Sequence, residues 1–264
     1  MDQLNFVSHD FMLFSLDNQN VGKPAIVFLH GGGLSSKSWT PIIDLLPDFH
    51  CLAPDLPEQG VSKDIPFTMG DASRGVAELI EKHLPQKKAH VVGLSLGGAV
   101  ALALIRTTPD LVDHCIVTGC SGRLSAIYAA FARSTLWTLR FYKPEYLVQA
   151  TMHQQGIPTR YHELLHDDLL AGSSVQFMNH IITSLKELEL PAQIDMPLLV
   201  CVGERENWLA KRIARGLLAR FPSARGLVAP GGSHVWCLQF PGLFADMVRA
   251  WVTDKLLPPS LKPL

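Results

Sequence analysis

Charge is scarce in this sequence and long apolar runs are missing from it. Only 18% of the residues are charged, and 23 basic against 24 acidic side chains leave a net charge of −1. That balance offers no electrostatic footprint for nucleic acid or for an anionic membrane. No uncharged apolar run reaches bilayer-spanning length. The first residues, Met1 to Asp10, have neither the basic patch nor the apolar core of a signal peptide. Cysteine is sparse too, and its count of 5 is odd. Cys51, Cys115, Cys120 and Cys201 sit in or beside apolar strand-like runs, which fits buried reduced thiols in a cytoplasmic protein better than a disulfide framework. There is no internal repeat.

What the chain does have is core. With 264 residues, 47% of them hydrophobic, it suffices for one α/β domain, or one with an insertion. Apolar runs at Phe11 to Leu16, Ala25 to Leu29 and Cys51 to Ala53 read as strands, and Ser38 to Leu46 and Asp71 to Leu84 as helices. Ala89 to Val92 and Cys115 to Thr118 are further strands. The alternation predicts a doubly wound, mostly parallel sheet with helices on both faces. It stops between about Gly122 and Gln193, where the chain reads as helical and carries most of the large aromatics. Residues 122–193 are therefore expected to form an inserted helical cap on a core made of 1–121 and 194–264. Alternation then resumes with a strand at Leu198 to Val202, a helix at Leu209 to Arg220, a strand at Gly226 to Ala229 and a helix from Pro241 to Leu256. The proline-rich tail, Pro258 to Leu264, is expected to fray.

Gly93-Leu94-Ser95-Leu96-Gly97 spells G-x-S-x-G between a strand and a helix. A serine on so sharp a turn is lifted above the sheet, and the chain on either side passes too close to admit side chains at the glycines. The amides that follow, starting with Leu96, open a helix whose amino end favours negative charge. Ser95 is thus the candidate nucleophile. A serine hydroxyl needs a base, and His234 in Pro230-Gly231-Gly232-Ser233-His234 follows the last predicted long strand, where loops converge on a ligand site. The base in turn needs an acceptor for its other ring nitrogen. The loop Gly203-Glu204-Arg205-Glu206 supplies two carboxylates.

This order, Ser95, then an acid after a late strand, then His234, resembles the α/β-hydrolase fold family over nearly the whole chain. The family usually carries Gly-x-x-Asp in the acid loop, and laid on this sequence the pattern falls on Gly203 and Glu206, with Glu for Asp. The resemblance thus implies Glu206 as the acid, with Glu204 as the alternative. His30-Gly31-Gly32-Gly33 is similar to the family's His-Gly segment on one side of the oxyanion hole. It implies the amides of Leu96 and Gly32 as donors, with Gly33 as a substitute, and His30 as an organiser of the loop. Asp55 to Ser62 resembles a further family loop but departs from it at Pro57-Glu58-Gln59, so no chemistry is assigned there.

The implied activity is hydrolysis of small carboxylic esters or lactones by acyl transfer, in the manner of the carboxylesterase branch, with no cofactor and no metal. The same residues would also serve a carbon–carbon bond hydrolase, for which Arg123 could bind a substrate carboxylate. From another class, His162-Glu163-Leu164-Leu165-His166 matches H-E-x-x-H, a zinc-hydrolase signature when it lies on a helix. Ordinary packing accounts for it equally, since Leu165 and Leu169 share that side of the helix. A binding protein that kept the fold without turnover is the remaining alternative.

Overall fold

Strands that are apolar on both sides need cover on both faces, and the computed structural model of the chain supplies it. The structure describes residue 13 and residues 15–119, 122–139 and 141–264. The strands β1 (Ser15–Asp17), β2 (Ala25–Leu29), β3 (His50–Pro54), β4 (Ala89–Leu94), β5 (Val112–Thr118), β6 (Leu198–Gly203), β7 (Arg225–Ala229) and β8 (Lys262–Pro263) form one sheet. Their spatial order is β1-β3-β2-β4-β5-β6-β7-β8. The six strands from β2 to β7 are parallel, and β1 and β8 close the two edges antiparallel. The expected doubly wound, mostly parallel sheet is what forms.

The helices are α1 (Thr40–Ile43), α2 (Met69–His83), α3 (Leu96–Thr107), α4 (Ala126–Leu139), α5 (Pro144–Gln155), α6 (His162–Gly172), α7 (Val175–Glu187), α8 (Trp208–Arg220), α9 (Trp236–Gln239) and α10 (Pro241–Val252). Successive strand residues point to opposite faces, so each strand feeds two cores. Val27, Leu52, Val91 and Val200 pack with α2, α3 and α8 on one face. Ile26, Phe28, Val92 and Leu199 pack with α1 and α10 on the other. Each such side chain contributes about 1.5–3 kcal/mol on burial. Helix α3 is covered on all sides, and every residue from Leu96 to Ile105 is buried. That rigidity matters because the helix begins directly after Ser95.

Helices α4 to α7 occupy the stretch between β5 and β6, where the sequence predicts an insertion. Val148 and Met152 of α5 and Leu165 and Leu169 of α6 join one core, and Leu185 of α7 joins the other. Helix α4 lies against α7 through Ala129, Leu136 and Ile182.

Several expectations need correction. The tail does not fray: Leu261 is buried, β8 pairs with β7, and the Leu264 amide donates to the Gly226 carbonyl at 3.2 Å. An exposed strand edge leaves backbone groups unpaired, and the tail satisfies them. The helix expected over Ser38 to Leu46 is a 3₁₀ turn, Ser36–Trp39, followed by the single turn of α1. Pro41 lacks an amide for a longer ladder, and Pro47 blocks extension. The last helix stops at Val252, not Leu256, where Asp254 turns the chain at φ 52. Of the first expected strand, Phe11, Met12 and Phe14 lie outside the described residues.

Candidate active site

Ser95 sits at φ 52, ψ −111, a backbone region that costs a non-glycine residue about 1–3 kcal/mol. The surroundings impose it. A Cβ at Gly97 would lie 2.1 Å from the Leu29 carbonyl oxygen, and one at Gly93 would lie 2.5 Å from that of Gly97. The chain can pass here only without side chains. The Ser95 amide donates to the Thr118 carbonyl at 2.8 Å, which ties the turn to the end of β5.

Thr118 also holds the loop of His234. Its buried hydroxyl accepts from the indole Nε1 of Trp236 at 2.8 Å. The Ser233 amide donates to Gln239 Oε1 at 2.7 Å, which fixes the residue before His234. The His234 imidazole meets Glu206, not Glu204: Nδ1 lies 2.5 Å from Glu206 Oε1. Only 1% of the Glu206 side chain is exposed. Its other oxygen accepts from the Gly203 amide at 3.2 Å. Glu204 is exposed and accepts from the Gly231 amide at 2.8 Å. A buried carboxylate paired with an imidazole in this way sets which ring nitrogen carries the proton, leaving Nε2 as the acceptor.

The glycine segment after β2 is held by the loop to which the sequence assigns no chemistry. The Gly33 amide donates to Gln59 Oε1 at 2.8 Å and so is not free for a substrate. Gly32 remains, half-buried at the wall of the same cavity as Ser95 and His234. The Ser36 amide donates to Asp55 Oδ1 at 2.7 Å. His30 organises the segment, as expected: its Nδ1 donates to the Gly31 carbonyl at 2.9 Å, and its Nε2 accepts from the Leu56 amide at 3.0 Å. A ring that accepts on one nitrogen is neutral, and burial lowers the His30 pKa in the same sense.

Ser95, Leu96, Gly32, Glu206 and His234 line a single cavity of about 560 Å³. Helices α5 to α7 supply much of the remaining wall. Leu169, Met178 and Ile181 with Leu96 make an apolar side, while Thr151, Gln154 and Gln155 of α5 make a polar one. The helices are tied to the core around this opening. His180 Nδ1 lies 2.7 Å from Glu58 Oε2, the Ser35 hydroxyl donates to Asp168, and the Val235 amide donates to the Gln155 carbonyl at 3.4 Å.

Gln59, Thr118 and Gly119 also shape the site, with no motif to mark them in the sequence. Gly119, directly after β5, adopts φ 55, and a Cβ there would lie 2.9 Å from His234 Cε1 and 3.1 Å from Glu206 Oε1. A glycine just past a strand is a usable signal, and so is the i, i+3, i+4 spacing of Thr151, Gln154 and Gln155, which puts them on one helix face. Nothing in the sequence marks Gln59.

Arg123 does not reach the cavity. It is exposed, and its Nε donates to the Lys186 carbonyl at 3.3 Å. In the H-E-x-x-H segment, His162 Nε2 donates to the Ile157 carbonyl at 3.0 Å and His166 Nδ1 lies 3.0 Å from Asp167. Leu165 and Leu169 anchor that helix in the core, and Glu163 is exposed. Packing is the better account of the motif. Cys51, Cys201 and Cys237 are free and buried, Cys115 is buried, and Cys120 lies outside the described residues. Burial pushes the Cys51 and Cys237 thiols up to about 12, so neither is a thiolate nucleophile at neutral pH. No helix among the described residues is long and apolar enough to cross a membrane.

Comparison with known proteins agrees with this architecture. The chain is 29% identical over 254 residues to an AB hydrolase superfamily protein of Gibberella zeae, covering 91% of this chain and 84% of the relative. It is 25% identical over 264 residues to a pimeloyl-acyl-carrier-protein methyl ester esterase of Pectobacterium atrosepticum, covering 88% and 96%. Among solved structures, the enol-lactonase of Burkholderia xenovorans superposes with a TM-score of 0.75 at 19% identity, covering 91% of this chain and 96% of that one. A thermophilic esterase of Thermogutta terrifontis superposes with a TM-score of 0.72 at 22% identity, covering 92% and 93%. Residues 26–247 match the alpha/beta hydrolase family, and with sequence and fold in agreement the chain belongs to that family and is a hydrolase.

Proposed function

We propose that the protein is a serine hydrolase of small to medium carboxylic esters or lactones, working through an acyl-enzyme. Ser95 Oγ attacks the carbonyl carbon while His234 Nε2 takes its proton. Glu206 holds the imidazole through Nδ1 and stabilises the imidazolium that forms. The amides of Leu96 and Gly32 receive the oxyanion, each donor supplying about 3 kcal/mol in the transition state. Collapse of the tetrahedral intermediate expels the alkoxide, which takes the proton from His234 Nε2. Water, deprotonated by the same nitrogen, then releases the acid and restores Ser95.

The observation that carries this reading is the strained Ser95 facing one cavity together with a His234 whose Nδ1 is 2.5 Å from a buried carboxylate. Helices α4 to α7 would act as the cap: the apolar wall of Leu96, Leu169, Met178 and Ile181 suits an acyl chain, and the polar face of α5 suits the alcohol or lactone oxygen. A carbon–carbon bond hydrolase draws less support, because Arg123 lies away from the cavity. The buried free thiols favour a reducing compartment such as the cytoplasm. The test is covalent labelling by a fluorophosphonate with peptide mapping, alongside hydrolysis of p-nitrophenyl esters of increasing acyl length. Ser95 should carry the label, and Ser95→Ala should lose label and turnover together. Undiminished hydrolysis by Ser95→Ala would overturn the assignment.

A further inference from the structure

At the opposite end of β4 from Ser95 lies a second group of chemistry-bearing side chains. The pairing of β4 with β5 slips there: Ala89 is opposite Val112 and Val91 opposite Cys115, so Asp113 and His114 together face the single residue His90. In a regular ladder Asp113 and His114 would point to opposite faces of the sheet. The bulge instead turns both toward His90, a use of bulges that recurs where side chains must be re-aimed.

The donor atoms converge. Nδ1 of His90 and Nδ1 of His114 each lie 3.7 Å from the same oxygen, Asp113 Oδ2. That is too far for a hydrogen bond, and both nitrogens are buried with no hydrogen-bond partner. His90 and His114 are themselves 8% and 9% exposed. Two orphaned imidazole nitrogens aimed at one carboxylate oxygen leave a gap that a proton does not fill well and a cation does.

We propose that His90, Asp113 and His114 bind a divalent transition metal of the zinc class, through the two Nδ1 atoms and Asp113 Oδ2, with water completing the shell. Two imidazoles and a carboxylate are a zinc-type donor set. The ligand atoms lie within 4.8 Å of one another, against about 3.4 Å between donors around tetrahedral zinc. Closing the longest edge therefore takes at most about 1.4 Å, within reach of small ring rotations.

The surroundings suit this role. His114 Nε2 lies 3.4 Å from Asp254 Oδ1, and a metal-bound imidazole commonly donates its other N–H to a carboxylate. Burial, the largest effect, pushes the His90 imidazole down to about 4, with His114 and Lys88 adding to it and Asp113 and Asp254 opposing it. Lys88 Nζ sits 3.1 Å from Asp113 Oδ1, the other oxygen of that carboxylate. It holds the carboxylate in place while opposing an incoming cation by its charge.

The test uses the full-length protein, free of affinity tag and stripped of metal, titrated with Zn²⁺ by calorimetry and with Co²⁺ by visible absorption. One equivalent of Zn²⁺ is expected, with intense d–d bands for Co²⁺ and Tm raised by about 5 °C at a hundredfold excess over Kd. His90→Gln and His114→Gln should weaken binding at least about tenfold, and Lys88→Gln should tighten it. Asp113→Asn and Lys88→Gln decide the matter if either histidine variant misfolds. His162→Gln and His166→Gln should leave binding unchanged, and hydrolysis by Ser95 should persist in every variant. Absence of binding at about 100 μM metal, or binding lost only with His162 or His166, would overturn the proposal.

Discussion

Shortening the acid by one methylene is the sharpest test of the candidate site. Glu206→Asp keeps the charge and withdraws the carboxylate by one carbon–carbon bond, about 1.5 Å. The contact with His234 Nδ1, 2.5 Å in the native protein, then opens to about 4 Å, beyond hydrogen-bond reach. The bond from the Gly203 amide, already 3.2 Å, is lost with it. Without an orienting acceptor the imidazole loses both its tautomer preference and the partner for its positive charge. Removing that function in a serine–histidine–aspartate enzyme costs about 10⁴ in kcat. A carboxylate retained at longer range should cost about 10² to 10³, and Glu206→Gln more. KM should stay within about threefold, since the loss falls on the transition state. The methylene-sized void should cost about 1 kcal/mol, about 2–4 °C in Tm, so the variant stays folded. Steady-state hydrolysis of p-nitrophenyl acetate with a parallel thermal melt reads both quantities. Turnover by Glu206→Asp within threefold of the native rate, or equal impairment of Glu204→Gln, would remove Glu206 from the role of orienting acid.

Thr118→Val should leave the buried Trp236 indole without an acceptor and cost about 1–3 kcal/mol by urea denaturation, with a further loss of kcat as the His234 loop loosens. An unchanged denaturation midpoint would show that the bond carries no weight. Gln59→Ala should free the Gly33 amide and lower kcat about tenfold by letting the glycine segment move; native kinetics would remove Gln59 from any positioning role. Acid should destabilise the metal-free protein through His90, whose pKa is about 4 in the fold and about 6.5 when unfolded. The unfolded chain binds the extra proton, so stability is full above pH 6.5 and falls by roughly 3 kcal/mol as pH drops to 4. His90→Gln should remove that part of the dependence of the urea midpoint on pH, leaving a slope of the same sign from buried His30; identical slopes would refute it.

The parts legible in the sequence are those whose physics is local. A strand buried on both faces must read as a continuous apolar run, and β2 and β6 do, so the sheet is visible without coordinates. The turn at Ser95 is legible because only glycine fits where the backbone passes within bonding distance of its neighbours. The choice between Glu206 and Glu204 is not local. Both follow the same strand, and only the arrival of the His234 loop from β7 separates a buried partner from a surface carboxylate. Gln59 is hidden for the same reason, since its acceptor is spent on an amide 26 residues away. The tail misleads because proline content speaks for disorder, whereas the open edge of β7 offers it a ladder.

The Glu at 206, where the family resemblance implies Asp, has a structural counterpart in Gly119. The Glu206 amide bonds back to the Gly203 carbonyl at 3.2 Å, which keeps the acid's backbone close to the end of β6. The carboxylate and the imidazole carried by the loop after β7 meet beside Gly119, at the end of β5. The space above β5 is open because residue 119 has no side chain: a Cβ would press on both His234 and Glu206 Oε1, at 2.9 and 3.1 Å. The longer acid therefore occupies the room that the glycine leaves. Ala at 119 and Asp at 206 would attack the same contact from two sides, one by displacing the carboxylate and the other by withdrawing it. Losses that converge on one contact do not add, so the two positions behave as a single element of the site, not as an acid and an unrelated turn.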